Sequence, residues 1–277
     1  MDQTPDRKGY VLGHSEKEIA RLERQGEIFG AQTRDTLSRA GLSTGMRVLD
    51  IGCGAGDVSM IAAEIVGPEG YVLGIDSANR ALSPARARAA QADYEWLDFA
   101  QADVDTYRSE PLFDAVIGRF ILMYVADPAA TLKRVATFVR PGGIVAFIEM
   151  DIDQAGAIPE MTLLRTHIDW MAATYRKAGA EPNMGSKLYA AFRAAGLAPR
   201  LFGSCRVESG PDSVAYDFAA ETLRSLLPAM QRHGITTAHD VQIDTVAARL
   251  REAALAGDHC ILMPRLIGAW ATTARRP

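Results

Sequence analysis

Short apolar runs alternate with amphipathic stretches from Arg47 to Asp151. The runs have the length of buried strands, and the stretches between them show the apolar periodicity of helices. Alternating strands and helices are typical of a mainly parallel sheet with helices on both faces. The predicted strands are Arg47–Ile51, Tyr71–Ile75, Tyr94–Ala100, Phe113–Arg119 and Ile144–Met150.

Helical patterns predominate on both sides of this region. Ser15 and Glu18 form the pattern of a capping box, which marks the start of a helix. Gly210–Gly257 is mostly helical, with breaks expected at Pro228 and Gly234. The other predicted elements are helices at Glu16–Ile28, Thr33–Ala40, Pro159–Ala178 and Gly185–Ala195, and a sixth and a seventh strand at Pro199–Val207 and His259–Leu266.

The segment Val48–Asp57 carries the strongest chemical signal. An apolar strand ends beside Asp50 and breaks into three alternating glycines, after which a helix is predicted from Val58. A strand, a glycine-rich loop and a helix form a nucleotide-binding device, because a ligand can lie against a backbone without side chains. The spacing differs from the G-x-G-x-x-G of dinucleotide sites, and Asp57 would repel a pyrophosphate. A ligand with an ammonium group therefore suits this loop better.

The loop sequence D-I-G-C-G-A-G-D, from Asp50 to Asp57, resembles motif I of the class I S-adenosylmethionine-dependent methyltransferases. The resemblance implies an α/β fold with a doubly wound, mainly parallel, seven-stranded Rossmann-like sheet, an N-terminal helical lid and helical cap insertions. The predicted organisation is a lid over residues 1–45, a cofactor-binding core over 46–153, and a cap with the last strands over 154–277. Further segments resemble motifs of the same family in the same order, at Gly74–Ser77, Gln101–Val104, Phe113–Pro128 and Val139–Asp151.

The resemblance also implies S-adenosylmethionine as the cofactor, with S-adenosylhomocysteine as its product. Asp76 would bind the ribose hydroxyls, with a helix N-cap as its alternative role. Asp103 would hold the adenine, unless it is a solvated turn residue, and Arg119 would bind the cofactor's carboxylate, unless it forms a surface ion pair. The residues predicted to bind the cofactor are Asp50, Gly52, Cys53, Gly54, Gly56, Asp76, Ser77, Asp103, Val104, Arg119 and Gln25.

Transfer of a methyl group to a phenol or an indole is helped by a nearby base. Glu149, Tyr124 and His14 are the candidates for this catalytic role, although a capping acid, a packed tyrosine and an exposed terminal histidine are the alternatives. The segment before the first strand would fold over the cofactor as a lid. The residues predicted to line the substrate side are Tyr10, Met123, His167, Met171 and Tyr175, with packing inside the cap as the alternative.

The composition and charge of the chain limit which classes of binding partner are expected. The chain has 277 residues, a net charge of −4 and a pI of about 5.8, which gives no footprint for nucleic acid or for anionic lipid. The spacing of Cys53, Cys205 and Cys260 is not that of a disulfide framework or a metal site. No apolar run is long enough to span a membrane, and the N-terminus is not expected to carry an apolar signal segment. A cytoplasmic protein without a metal is expected, and a homodimer is compatible with the sequence.

The predicted function is methyl transfer from S-adenosylmethionine to a small, mostly apolar acceptor. The pattern is similar to quinone-biosynthesis-like enzymes and natural-product tailoring enzymes of secondary metabolism, so an indole, phenol, quinol or amine acceptor is expected. Two alternatives remain at this point. One is a nicotinamide-dependent oxidoreductase on a related fold, and the other is a non-catalytic module that binds the cofactor.

Overall fold

The computed structural model describes residues 16–109 and 112–274. A seven-stranded sheet forms the centre, in the order β3-β2-β1-β4-β5-β10-β7. A second sheet has three short strands, in the order β6-β9-β8. The strands are β1 (Arg47–Ile51), β2 (Tyr71–Asp76), β3 (Leu97–Gln101), β4 (Phe113–Arg119), β5 (Val139–Asp151), β6 (Gly156–Ile158), β7 (Arg200–Ser204), β8 (Val207–Glu208), β9 (Cys260–Leu262) and β10 (Arg265–Thr272).

The first five strands of the large sheet run parallel, and β10 runs antiparallel between β5 and β7. This arrangement is the predicted α/β, mainly parallel, seven-stranded fold. Strands β1, β4 and β5 are mostly buried on both faces, as expected for strands covered by helices on both sides. The helices are α1 (Glu16–Ala40), α2 (Asp57–Val66), α3 (Asn79–Gln91), α4 (Pro128–Val135), α5 (Thr162–Lys177), α6 (Met184–Ala194), α7 (Val214–Arg232), α8 (Ala238–Val241) and α9 (Val246–Ala256).

Helix α1 is one continuous helix, whereas the sequence pattern predicted two. It packs against α2, β5, β10 and α7, and its buried residues include Phe29 and Leu37. Gly268 of β10 lets the helix approach closely, because a Cβ there would clash with Thr36. The tertiary burial of this helix stabilises it across the gap between the two predicted helices, where Gly30 lies.

The predicted seventh strand at His259–Leu266 is wrong. Cys260–Leu262 forms β9 of the small sheet, and the seventh strand of the large sheet is β10. Pro264 separates the two strands, and a proline has no N–H to donate within a ladder. The apolar run therefore belongs to two sheets.

The predicted break at Pro228 is also wrong, because α7 continues through this residue to Arg232. Apolar burial on both sides of the proline, at Leu226, Ala229 and Met230, compensates for the backbone hydrogen bond that proline cannot donate. The break at Gly234 is confirmed: its φ is +64°, and α7 ends before it.

Candidate active site

The glycine-rich loop after β1 closes over the end of β2. The N–H groups of Gly52 and of the next residue both donate to the carbonyl of Ile75, at 2.8 and 3.0 Å. The N–H of Gly54 donates to Oδ2 of Asp76 at 2.9 Å, and Oδ1 of Asp76 accepts from the N–H of Ala78 at 2.8 Å. One carboxylate therefore joins the loops that follow β1 and β2, at the edge of the sheet where ligands bind in such folds.

The three glycines of this loop serve different purposes. A Cβ on Gly52 would come within 2.7 Å of Ile121, and one on Gly56 would come within 2.9 Å of the Phe99 ring. A Cβ on Gly54 would meet nothing within 4 Å, and the φ of this residue is +53°. Gly52 and Gly56 thus allow close packing, while Gly54 presents open backbone to a ligand.

Asp57, the first residue of α2, is enclosed by cationic groups. Nη1 of Arg88 donates to its Oδ1 at 2.7 Å, and Nη2 of Arg119 lies 3.9 Å from its Oδ2. Gly26 of α1 covers a third side, because a Cβ there would come within 2.5 Å of Cγ of Asp57. The charge of Asp57 is compensated within the protein. This corrects the argument that Asp57 would repel an anionic ligand.

Arg119 ends β4 and is buried. Its Nη1 donates to Oγ1 of Thr33 on α1 at 2.9 Å, and its side chain is 5% exposed. Burial lowers the pKa of this guanidinium, and the carboxylates of Asp57 and Asp50 counteract that effect. The alternative of a surface ion pair is therefore wrong. A contact with the carboxylate of the cofactor stays a prediction.

Asp50 lies beneath the glycine-rich loop. The hydroxyl of Ser59 on α2 donates to its Oδ2 at 2.6 Å. Burial raises the pKa of Asp50 to about 7, while the bond from Ser59 and the charge of Arg119 hold it down. The carboxylate of Asp50 therefore joins β1 to α2, and its contact with the cofactor stays a prediction.

Two other predicted cofactor residues are also buried. Cys53 lies within the loop, where burial raises the pKa of its thiol well above the usual range. Gln25 lies on α1, next to the glycine that covers Asp57. Cys53 is thus part of the loop and Gln25 adjoins Gly26 on α1, and the contact of both residues with the cofactor stays a prediction.

The residues predicted to bind adenine lie on a tight turn after β3. Oδ1 of Asp103 accepts from the N–H of Asp105 at 2.8 Å, and the side chain of Val104 is buried. Gln101 pairs with the end of β2, and its Nε2 donates to the carbonyl of Ser77 at 3.0 Å. The structure therefore brings Ser77 and the Asp103 turn to neighbouring strand ends.

Glu149 is completely buried near the end of β5. Its Oε1 accepts from the N–H groups of Ile121 and Leu122, at 3.0 and 2.6 Å. Burial raises the pKa of Glu149 to about 8, while these N–H groups and that of Met123 hold it down. Glu149 caps the short 3₁₀ helix Leu122–Tyr124. The prediction of a general base is corrected, because a base must reach the acceptor and this side chain is enclosed.

The loop after β4 meets helix α5 through a pair of tyrosines. The rings of Tyr124 and Tyr175 lie 6.4 Å apart between centroids, at an angle of 55°. The carbonyl of Met123 accepts from the N–H of Glu181 at 2.8 Å. Met171 lies one helical turn before Tyr175 on α5 and is buried. Four of the residues predicted for catalysis or substrate binding, Met123, Tyr124, Met171 and Tyr175, are thus on two adjoining elements.

His167 lies on α5. Its ring lies 5.5 Å from that of Trp170, and its Nδ1 is buried without a hydrogen-bond partner. Burial lowers the pKa of His167 to about 4, and the nearby charge of Arg249 lowers it further. The predicted contact of His167 with the substrate stays a prediction, and Tyr10 and His14 lie outside the described residues.

An aromatic cluster that the sequence did not reveal joins α1, α7 and the loop after β4. Phe29 of α1 contacts Phe120 and Phe218 edge to face, with centroids 5.9 and 5.7 Å apart. Phe120 follows β4 and has a φ of +57°, which is uncommon for a bulky residue and typical of functional sites. The three residues come from three distant segments, so no local pattern could have identified the cluster.

A sequence model of one protein family, described as a methyltransferase domain, matches residues 42–196, which is more than half of the chain. The chain belongs to this methyltransferase family. Its cofactor is S-adenosylmethionine, and family membership replaces the alternative of a nicotinamide-dependent oxidoreductase. The matched segment contains the glycine-rich loop, Asp76, the Asp103 turn and Glu149, so the geometry above belongs to the cofactor core of a methyltransferase.

Known proteins resemble this chain in sequence and in fold. It is 37% identical over 120 residues to aklanonic acid methyltransferase DauC of Streptomyces sp., which is 42% of this chain and 53% of that protein. It is 33% identical over 115 residues to demethylmenaquinone methyltransferase of Lactococcus lactis, which is 41% of this chain and 46% of that protein. The match spans about half the length of these relatives. The YcgJ protein of Bacillus subtilis has the same fold, with a TM-score of 0.58, 17% identity, and coverage of 89% of this chain and 100% of that chain.

The residues of the methyltransferase site fit S-adenosylmethionine. Each oxygen of Asp76 accepts one backbone N–H and keeps a further lone pair for a ribose hydroxyl. The open side of Gly54 can receive the ligand against backbone. The described residues contain no group of three or more His, Cys, Asp or Glu that could hold a metal ion. Within the described residues, no helix is long and apolar enough to span a membrane.

Proposed function

We propose that this protein transfers the methyl group of S-adenosylmethionine to a small, mostly apolar, aromatic acceptor such as a phenol, a quinol or an indole. The observation that carries the proposal is the concentration of aromatic rings at the carboxyl end of β4, beside the glycine-rich loop. Phe29 of α1 contacts Phe120 after β4, and Tyr175 of α5 contacts Tyr124 in the same loop. Phe218 of α7 extends this group of rings through Phe29. Aromatic rings bind flat apolar molecules through offset or edge-to-face contacts.

The charges near this end of the sheet favour a neutral acceptor over a cationic amine. Glu149 is mostly protonated at neutral pH, because burial raises its pKa to about 8. Asp57 is compensated by Arg88, and Asp151 is compensated by Arg265, whose Nη2 lies 2.6 Å from its Oδ2. These buried acids therefore offer no uncompensated charge to hold an ammonium group. The names of two relatives, for aklanonic acid and for demethylmenaquinone, agree with an acceptor of this kind.

When bound, S-adenosylmethionine supplies a methyl group that is already activated for displacement. The protein then has to orient the acceptor in line and exclude water, and orientation alone contributes about 7–11 kcal/mol in well-aligned cases. The half-buried ring of Phe120 would contact the acceptor ring, with the buried ring of Phe29 packed against Phe120 and that of Phe218 packed against Phe29. The cap helices would exclude water. Tyr124 is our candidate for relaying the proton of the acceptor hydroxyl, because it lies on the loop that Glu149 holds in place. Its phenol oxygen would accept that proton while its own O–H proton passes to water, so the tyrosine stays neutral.

The test is a turnover assay on the full chain with S-adenosylmethionine and a panel of acceptors. We expect S-adenosylhomocysteine to form with phenols, quinols or indoles and not with aliphatic amines. Tyr124→Phe should lower kcat by about 100-fold, within the usual range for a lost acid–base group, and should change the pH profile. Tyr189→Phe, at an exposed tyrosine of α6, is the matched control. Binding of S-adenosylhomocysteine without turnover on any aromatic acceptor would favour the non-catalytic module.

A further inference from the structure

The side chain of Arg134 on α4 contacts the turn that follows β3. Its Nε donates to the carbonyl of Val104 at 2.6 Å, and its Nη2 donates to the carbonyl of Tyr107 at 2.8 Å. Its guanidinium carbon lies 5.6 Å from the ring centroid of Phe138. One half-buried side chain therefore binds two carbonyls of the same turn.

The turn itself is short and internally bonded. The carbonyl of Asp103 accepts from the N–H groups of Thr106 and Tyr107, at 3.1 and 2.8 Å. The ring of Tyr107 packs edge to face on Phe138, with centroids 5.4 Å apart. Because Arg134 holds the carbonyl of Val104 at one end and that of Tyr107 at the other, its removal would loosen the peptide that follows Val104 and the turn as a whole.

We infer that Arg134 is a positioning residue for the adenine end of the cofactor site, acting through the Asp103–Tyr107 turn without touching the cofactor. This inference rests on the proposed contacts of Asp103 and Val104 with adenine. A guanidinium suits the task because its planar fork donates to two acceptors in a fixed geometry. A lysine keeps the charge at this position but has no fork.

The test compares Arg134→Met and Arg134→Lys with the wild-type chain by calorimetric titration. The two ligands are S-adenosylhomocysteine and 5′-methylthioadenosine, which shares the adenosine part but lacks the amino-acid part. We expect Arg134→Met to weaken both ligands equally, by about tenfold, because the loss of bonds from a charged donor loosens the turn that both ligands share. Arg134→Lys should give an intermediate loss. Lys133→Met, at the exposed neighbouring position of the same helix, should bind like wild type.

A kinetic readout separates positioning from general damage. We expect the KM for S-adenosylmethionine to rise in Arg134→Met while kcat at saturating cofactor stays within about twofold of wild type. A folded Arg134→Met variant that binds both ligands with wild-type affinity would overturn the inference, as would a loss confined to S-adenosylhomocysteine. If Arg134→Met does not fold, the same titrations on Arg134→Lys decide. Failure of the cofactor site itself is distinguishable, because wild type would then bind neither ligand.

Discussion

Glu149 shows how one buried residue links the site to pH. Its carboxyl holds the N–H groups of Ile121 and Leu122, and so shapes the loop that carries Tyr124. Burial raises its folded-state pKa to about 8, above the value near 4.5 of an exposed glutamate. Between these two values the folded state binds a proton that the unfolded state releases. Stability that depends on this proton is therefore lost as the pH rises toward 8.

We predict that the free energy of unfolding of the wild-type chain falls between pH 6.5 and pH 8, by up to about 1.4 kcal/mol per pH unit from Glu149. Asp50 adds to the fall near pH 7, since its pKa is also raised. Burial lowers the pKa of His167 from 6.5 to about 4, so its contribution to the free energy of unfolding rises with pH. That rise is confined to pH values below 6.5. Glu149→Gln, which imitates the protonated acid, should flatten the pH dependence. Urea unfolding across this range is the measurement.

Glu160→Gln is the matched control for this prediction, because Glu160 is exposed. It should keep the pH dependence of the wild type. An equal slope in Glu149→Gln and wild type would show that Glu149 does not carry the linked proton.

At the scale of single residues, the sequence was enough to predict which segments meet at one edge of the sheet, but not the surroundings of their side chains. The glycine-rich loop, Asp76 and the Asp103 turn were identified from local spacing, because each follows a strand that ends at the same sheet edge. The surroundings of Asp50, Asp57 and Glu149 were not predictable. Their partners Ser59, Arg88 and the loop amides come from other elements, so only the fold brings them together.

At the scale of elements, α1 is the helix most closely fitted to the site. Two of its glycines lie one turn apart in different surroundings. A Cβ on Gly26 would come within 2.5 Å of Asp57, whereas a Cβ on Gly30 would meet only Ile61, at 3.9 Å. Asp57 cannot move aside easily, because Arg88 holds it. The glycine at position 26 is therefore required by the approach of α1 to α2.

We predict opposite effects for alanine at these two positions of α1. Gly26→Ala should destabilise the protein by about 1–3 kcal/mol through overpacking. Gly30→Ala should stabilise it by about 0.5–1 kcal/mol, because alanine is the better helix former. Urea unfolding of both variants measures the difference. A stabilising Gly26→Ala would contradict the packing of α1 on Asp57.

Element boundaries also show where sequence reasoning reaches its limit. The strands from β1 to β5 were found because each is an apolar run between turn signals. The last strand was misplaced because Cys260–Leu262 is equally apolar, and its separation from β10 depends on which sheet each run joins. Helix α1 was divided in two because its burial comes from α7 and β10, which are distant in sequence.

At the scale of the whole molecule, Phe29 connects α1 with the end of β4 and with α7. Its ring contacts Phe120 after β4 and Phe218 on α7. Leu37 on the same helix is equally buried, at 1% exposure compared with 0% for Phe29, and it is not part of this cluster. Substitutions at Phe29 and Leu37 therefore distinguish an effect on the stability of α1 from an effect on the ring contacts of Phe29.

We predict that Phe29→Leu and Leu37→Val each lower the free energy of unfolding by about 1–2 kcal/mol, because each trims a buried side chain. Only Phe29→Leu should raise the KM for an aromatic acceptor, because only Phe29 contacts the ring cluster. Steady-state kinetics with the best acceptor of the panel, beside urea unfolding, give the comparison. Equal acceptor KM values in the two variants would remove the cluster from the acceptor site.

The most direct measurement is a calorimetric titration of the purified chain with S-adenosylhomocysteine, repeated with reduced nicotinamide dinucleotide. Because Gly54 presents open backbone beside the Asp76 carboxylate, we predict saturable one-to-one binding of S-adenosylhomocysteine and no heat with the dinucleotide. Absence of binding by S-adenosylhomocysteine, or binding of the dinucleotide alone, would contradict the account.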